Sequence, residues 1–398
     1  MEYKVFTALH SIKKKDNSEF RALLFFEFRK KYKLSQFFYL AYNHSLWRKP
    51  VVILLIIYSL RKLFSVSFKQ KEKLDEIYIY NYANEKKSIL NTFANSHSSC
   101  ELTYISTFNN FIKNFKILSR YLFNWHCTFR FVKICLKLSN KNSFLVTARQ
   151  IEFLTLYVFF KHLFQKSVFK EVYISSESNP EIISAALACT EARINYTNHG
   201  YLNKDLGLFF HDKLVLDSRP LKARIQPHLF KKNVEIEIIK KTQAALFVRE
   251  ISTQNILILG SLVLDINSFF ELIKDCRKNL IDNHITIRFH PNKIFADRQF
   301  TDLCNKFKIL IQPNTSLKEQ LSQSTLVIAG ETSAHLDALA QGVPSIYYRL
   351  DRFPQDHYGF ISSGLIPEVK SLYDLKNSVQ KFYSNPEWLK VYKDYFGE

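Results

Sequence analysis

The sequence predicts an α/β fold: two doubly wound Rossmann-type domains facing a cleft, preceded by a basic, largely helical region. Three observations carry this. At 398 residues the chain suits two cores of roughly 150–200 residues each. Short runs rich in β-branched residues alternate with helical stretches, the pattern of parallel βαβ units. Hydrophobic residues make up 47% and aromatics 15%, enough apolar surface for packed cores and too much for a disordered scaffold.

Taken in order, residues 1–70 read as helical, with apolar clusters such as Leu23-Leu24-Phe25-Phe26 and no turn chemistry until Pro50. The first Rossmann-like domain is expected over 71–240. It opens with a strand at Glu76–Tyr80, a helix at Ala83–Asn91 and a strand at Leu102–Ser106. Residues 108–165 are aromatic-rich and mostly helical, broken near Asn140–Ser143. Strands follow at Val172–Ser175, Arg193–Thr197 and Lys213–Asp217. A helix over Glu181–Ala192 starts at Asn179-Pro180, where proline's missing N–H would have had no partner anyway. The chain turns charged and irregular between Pro227 and Thr253, which marks the boundary.

The second Rossmann-like domain is expected over 250–370. Its strands are expected at Asn255–Gly260, Ile285–Arg288, Phe307–Ile311, Leu326–Ala329 and Pro344–Tyr348. Helices between them are expected at Ser268–Asp282, Ala296–Lys306, Ser316–Ser322 and Ser333–Gln341. A C-terminal helix within 371–398 packs back onto the first domain in this reading.

The six cysteines (Cys100, Cys127, Cys135, Cys189, Cys276 and Cys304) are scattered, with no CxxC pair. That spacing fits unpaired thiols in a reducing compartment and neither a disulfide framework nor a zinc site. The first residues lack a secretory signal's order of basic start, apolar stretch and small-residue cleavage site. The expected location is therefore cytoplasmic, on the inner face of the membrane.

Charge supports the membrane half of that expectation. The chain carries 56 Lys and Arg against 36 Asp and Glu, a net charge of +20. Residues 1–73 alone hold 16 basic and 5 acidic side chains, more than half of the surplus. In the same region Val51–Tyr58 is apolar, between Arg48-Lys49 and Arg61-Lys62. Such a run is too short to cross a bilayer, which takes about 20 residues. It suits a helix lying on an anionic surface, at about 1 kcal/mol per basic charge. No helix-turn-helix, zinc finger, RNP-type strand or GxxG clamp accompanies the charge, which argues against nucleic acid.

Ligands of open parallel sheets bind beyond the carboxyl ends of the strands, and three segments fall there. Arg288-Phe289-His290-Pro291 ends a strand, and Pro291 stops the ladder. His290 can offer a phosphate oxygen a hydrogen bond or a full charge. Gly330-Glu331-Thr332-Ser333 links a strand to a helix start, where hydroxyls and free N–H groups suit an anion. Glu331 is placed to accept from ribose hydroxyls. Across the cleft, Ser175–Pro180 and Asn198-His199-Gly200 follow strands of the first domain. Either Glu177 or His199 is the candidate general base for an acceptor hydroxyl.

Over roughly residues 170–365 these segments resemble a group of bacterial GT-B glycosyltransferases of surface polysaccharide synthesis. Arg288–Pro291 is similar to the HP motif of the bacterial sialyltransferases and polysialyltransferases, and Thr332-Ser333 to their Ser/Thr motif. Asn198-His199-Gly200 looks like a turn found in several of these groups, and the CDP-glycerol phosphotransferases look related at the same places. The resemblance implies a GT-B fold and inverting transfer of sialic acid, or a related nonulosonic acid, from a CMP-sugar. The acceptor would be a glycan or glycolipid of a capsule, lipooligosaccharide or O-antigen, and His290, Thr332 and Ser333 would hold the CMP. The family's acidic D/E-D/E-G motif is absent, and Glu177 in Ser-Glu-Ser is only its positional substitute. No DxD pair suited to a metal is present, so metal-independent transfer, with no cofactor, is expected. Alternatives are transfer of a polyol phosphate, a UDP-, GDP- or TDP-sugar donor, or a non-catalytic scaffold at the membrane surface.

Overall fold

In the computed structural model, placement is described for residues 46–63, 67–69, 75–80, 83–93, 100–103, 125–140, 142–164, 167–176, 179–189, 191–198, 209–230, 233–239, 254–261, 264–280, 283–290, 309–311, 315–351, 356–373 and 375–396, and for the isolated residues 9, 42, 43, 202, 206, 302, 304, 305 and 307. The chain divides into two compact units. One comprises 1–199 with 205–216 and 221–239; the other comprises 240–398 with 200–204 and 217–220. Each is built on its own sheet, so the two-domain α/β fold expected from the sequence is the fold observed.

The first unit runs α1 (Arg48–Leu63), β1 (Ser67–Lys69), β2 (Glu76–Ile79), α2 (Ala83–Phe93), β3 (Cys100–Thr103), α3 (Trp125–Ser139), α4 (Phe144–Leu163), β4 (Glu171–Ile174), α5 (Pro180–Ala188), β5 (Arg193–Thr197), β6 (Lys213–Leu216), α6 (Arg219–Ile225) and β7 (Glu235–Ile238). Among its described residues, seven strands lie in the order β1-β3-β2-β4-β5-β6-β7, all parallel except the β1–β3 pair. From β2 the chain moves outward to β3, then returns to the other side of β2 as β4 and continues to β7. Right-handed crossovers in opposite directions put their helices on opposite faces, which makes the sheet doubly wound.

The break foreseen near Asn140–Ser143 separates α3 from α4, and one tyrosine pins it. The Tyr42 hydroxyl bonds the Ser139 and Asn142 carbonyls and the Thr147 hydroxyl, at 2.8, 2.9 and 2.7 Å. α5 is buried along its whole length. Its run of alanine and serine lets it sit close to the longer α4. Asn179 caps it by accepting from the Glu181 N–H.

The second unit runs β8 (Asn255–Gly260), α7 (Ile266–Asn279), β9 (His284–Phe289), β10 (Leu310–Ile311), α8 (Leu317–Gln323), β11 (Leu326–Ala329), α9 (Ala334–Ala340), β12 (Ser345–Tyr348), β13 (Glu368–Val369), α10 (Leu375–Tyr383) and α11 (Pro386–Phe396). Among its described residues, six strands, all parallel, lie in the order β10-β9-β8-β11-β12-β13. β8 is central and β11 is fully buried, as strands covered on both faces must be.

Three expectations need correction, and one short helix was not anticipated. The irregular stretch before the boundary contains β7, an edge strand reading Glu-Ile-Glu-Ile, whose carboxylates pair with Lys213 and Arg193. The N-terminal region expected as helical contains strand β1. A short helix, α6, follows β6. Finally, the C-terminal segment forms two helices, because Asn385-Pro386 stops the first and caps the second. Within the second unit, Trp388 donates to the Leu365 carbonyl at 2.9 Å, and Tyr392 reaches the Leu339 carbonyl.

Candidate functional site

In the second unit the strand order reverses at β8. The chain leaves β8 for β9 on one side and comes back to the other side as β11, so the loops after β8 and β11 part company there. A parallel sheet opens its ligand crevice at such a switch point. The register brings the candidate residues level with it. Gly260 pairs with Phe289, and Leu259 with Ala329, so Gly330 lies opposite Gly260. The His290 N–H continues the ladder to the Gly260 carbonyl at 3.0 Å. The two motifs expected to hold a phosphate therefore end on the same edge, one strand either side of β8.

Both glycines are required by close approach. A Cβ on Gly260 would fall 2.6 Å from the Phe289 ring, and one on Gly330 would fall 2.0 Å from Asp351 Oδ2. Asp351 follows β12 and is buried. It accepts from the Ser261 hydroxyl, just after β8, and from the Glu331 N–H, just after β11. A single carboxylate thus ties the two diverging loops together. The Asp265 N–H bonds the Leu350 carbonyl at 2.8 Å and reinforces the tie, while the Asp265 side chain caps α7.

Glu331, expected to receive ribose hydroxyls, is only 8% exposed. Its oxygens accept from the His357 N–H at 3.1 and 3.2 Å and from the Tyr347 hydroxyl at 3.3 Å. A buried carboxylate needs such partners, and here they fasten the turn over 356–366. Burial is the main cause that pushes the Glu331 carboxyl up to about 7, with Asp351 and Asp356 adding repulsion against the hydrogen bond from His357. Asp356 itself holds a left-handed backbone, φ 49°, a conformation aspartate tolerates better than most residues. Its carboxylate accepts from Ile361 and Ser362 N–H groups.

His335, within the same motif, is fully buried. Its Nε2 lies 3.0 Å from the Gly330 carbonyl, which can only accept, so Nε2 carries the proton. Nδ1 then accepts from the Ser345 hydroxyl at 2.6 Å. Burial lowers its pKa to about 4, and the ring stays neutral near pH 7. It holds the Gly330 turn against β12.

The remaining predicted residues divide. Thr332 caps α9 by accepting from the Ala334 N–H at 3.2 Å, whereas Ser333 makes no capping bond. Arg288 spends its guanidinium on the Thr315 carbonyl and on Gln320 Oε1, beside α8. His290 is exposed at the edge of the sheet; the protein around it displaces enough water to lower its pKa. Pro291, Glu177 and His199 lie outside the described residues. Their neighbours are described: Ser175 donates to the Thr197 carbonyl at 2.6 Å. In the first unit the order reverses between β2 and β4, so Ser175 and Ser176 end a strand at that unit's own switch point.

Sequence reasoning missed Ser261, Tyr347, Asp351 and His357. Gly260 carried a signal, as a glycine closing a strand; Asp351 carried none, being joined to Glu331 from twenty residues away. Among the described residues no cluster of three or more His, Cys, Asp or Glu suits a metal ion. Among the described residues, the side chains of Cys135, Cys189, Cys276 and Cys304 are buried.

No protein-family model matches the sequence, and no curated protein matches it. Among solved structures, the chain is similar to CalG4, the calicheamicin glycosyltransferase, at 10% identity and TM-score 0.47, over 82% of this chain and 95% of that one. It is similar at 9% identity and TM-score 0.45 to a protein named as a UDP-N-acetylglucosamine 2-epimerase of Listeria monocytogenes, over 82% and 91% of the two chains. HepE of Anabaena, solved in complex with UDP-glucose, is similar at 7% identity and TM-score 0.41, over 81% and 93%.

Proposed function

We propose that the chain is a glycosyltransferase whose second unit holds the nucleotide of a CMP-sugar. The sugar, sialic acid or a related nonulosonic acid, passes with inversion to a glycan or glycolipid hydroxyl of a bacterial surface polysaccharide. One observation supports the donor half above the others: His290 and the Gly330–Ser333 turn flank the switch point of a parallel sheet, on one edge and in register. That is where a nucleotide phosphate finds hydrogen-bond donors already oriented.

In this reading His290 donates to the departing phosphate. Its neutral ring gains a proton more easily as negative charge develops beside it. Ser333, free of capping duty, faces the same task with the backbone N–H groups of its turn. Glu331 and His335 act as positioning residues that set the turn. Either Glu177 or His199 removes the acceptor proton, and the glycosidic bond to the nucleotide breaks as the new bond to the acceptor oxygen forms.

A transfer assay with CMP-, UDP-, GDP- and TDP-sugars tests the reading. Nucleotide release from the CMP-sugar is expected, and His290→Ala should lower turnover by about a hundredfold or more with thermal unfolding unchanged. Near-normal turnover in that variant would remove the donor site. Release from a different nucleotide sugar would replace CMP.

A further inference from the structure

A helix that is apolar all round belongs inside a core or in contact with lipid, and α1 has one face in each setting. Val51, Val52, Leu55 and Ile56 are buried, packed with Tyr42, Cys135, Phe144 and Ile151. The other face is open. Ile53, Leu54, Ile57 and Tyr58, with Leu46 and Trp47 just before the helix, are between 44% and 79% exposed. At 3.6 residues per turn, positions 53, 54, 57 and 58 fall on one continuous arc and 51, 52, 55 and 56 on the other. The open arc is therefore a single apolar stripe.

The geometry points to a specific occupant: the exposed stripe of α1 lies in the interface of an anionic bilayer. Three features favour lipid over another protein surface. The stripe contains no charge from Pro50 to Leu60, yet Arg48 and Lys49 precede it and Arg61 and Lys62 follow it. Residues 1–73 carry a surplus of 11 positive charges. Two copies of the chain meeting through this stripe would bring together the basic pairs at the two ends of α1. Phosphate headgroups would neutralise them, each worth about 1 kcal/mol near the surface. The helix has 16 residues, about 24 Å, and no helix among the described residues is long and apolar enough to cross a membrane. α1 is therefore placed flat, with Trp47 and Tyr58 at headgroup depth, where their mixed polarity fits.

The inference rests on the surface of α1 alone, so its failure leaves the donor site untouched. The full chain is sedimented with vesicles of phosphatidylcholine and of an equimolar phosphatidylcholine–phosphatidylglycerol mixture. The anionic vesicles should bind it about tenfold or more tightly, with affinity falling as salt rises. Ile57→Glu should weaken that binding about tenfold while leaving the thermal unfolding of the chain unchanged. Tyr373→Glu, at an exposed apolar position in the second unit, should change nothing. Should Ile57→Glu fail to fold, the wild type answers alone: brominated lipid should quench its emission, and Trp47→Phe should remove most of that quenching. Equal binding to neutral and anionic vesicles, no binding, or full binding by Ile57→Glu would overturn the proposal. So would a dimer that Ile57→Glu dissociates, which would place a second copy on the stripe.

Discussion

Replacing Gly330 with alanine tests how the switch point is built. Its backbone is not left-handed, so alanine brings no conformational strain. Where space allows, Gly→Ala stabilises by about 0.4–1 kcal/mol through the unfolded chain. Here the added carbon would meet Asp351 Oδ2 at 2.0 Å, Asp351 Cγ at 2.9 Å and Leu350 Cβ at 3.3 Å. The carboxylate must move by more than 1 Å, roughly, to reach ordinary contact. It cannot do so while still accepting from Ser261 and from the Glu331 N–H. Overpacking costs about 1–3 kcal/mol, and a weakened buried acceptor adds about 1–3 kcal/mol, so Gly330→Ala should destabilise the second unit by about 3 kcal/mol. Asp351→Ala alone should cost about 3 kcal/mol by stranding the Glu331 N–H. With that carboxylate gone, the next atom the added methyl meets is Leu350 Cβ at 3.3 Å, and Gly330→Ala should then cost about 0.5 kcal/mol or less. The coupling of the two substitutions is therefore about 2–3 kcal/mol. Urea unfolding followed by Trp388, which is buried in the second unit, measures it in a background with Trp47 and Trp125 changed to phenylalanine. Additive effects would refute the claim that Asp351 is what requires glycine at 330.

Two further predictions concern protons and metals. Glu331 keeps a proton in the folded state up to about 7, so its contribution to stability is full below the ordinary carboxylate range and is lost as pH rises through 7. His335 refuses a proton down to about 4, so its contribution is full above the ordinary histidine range and is lost as pH falls through 4. The two slopes oppose each other between about pH 4.5 and 6.5, and each is worth up to about 3 kcal/mol. Glu331→Gln should expose the histidine slope, with stability rising from pH 4 to 6.5; a flat profile in that variant would contradict it. Transfer should survive EDTA, because no DxD pair stands ready for a metal; complete loss restored by Mg²⁺ or Mn²⁺ would show otherwise.

The parts of the fold that were readable in sequence were those governed by local rules. Arg193–Thr197, Asn255–Gly260 and Leu326–Ala329 match their expected limits; the last two are buried parallel strands, which read as near-continuous apolar runs. β7 was hidden by its edge position, where glutamates discourage further pairing and make a strand look like a loop. Asn385-Pro386 did carry the signal that splits the C-terminal helix, though apolar periodicity on both sides masked it. At the site, His290 and Gly330 were readable as strand ends. Asp351 was not, since no pattern around it announces a bond to a loop twenty residues earlier. Glu331 was readable as a carboxylate at a strand end, while its partners Tyr347 and His357 are supplied only by the three-dimensional structure.

Calorimetric titration of the full chain with CMP, UDP, GDP and TDP tests the central claim most directly. The account predicts that CMP binds at one site and that His290→Ala weakens it about tenfold or more, the loss of one charge-assisted hydrogen bond. Binding of none of the four nucleotides, or equal binding of CMP by wild type and His290→Ala, would contradict it.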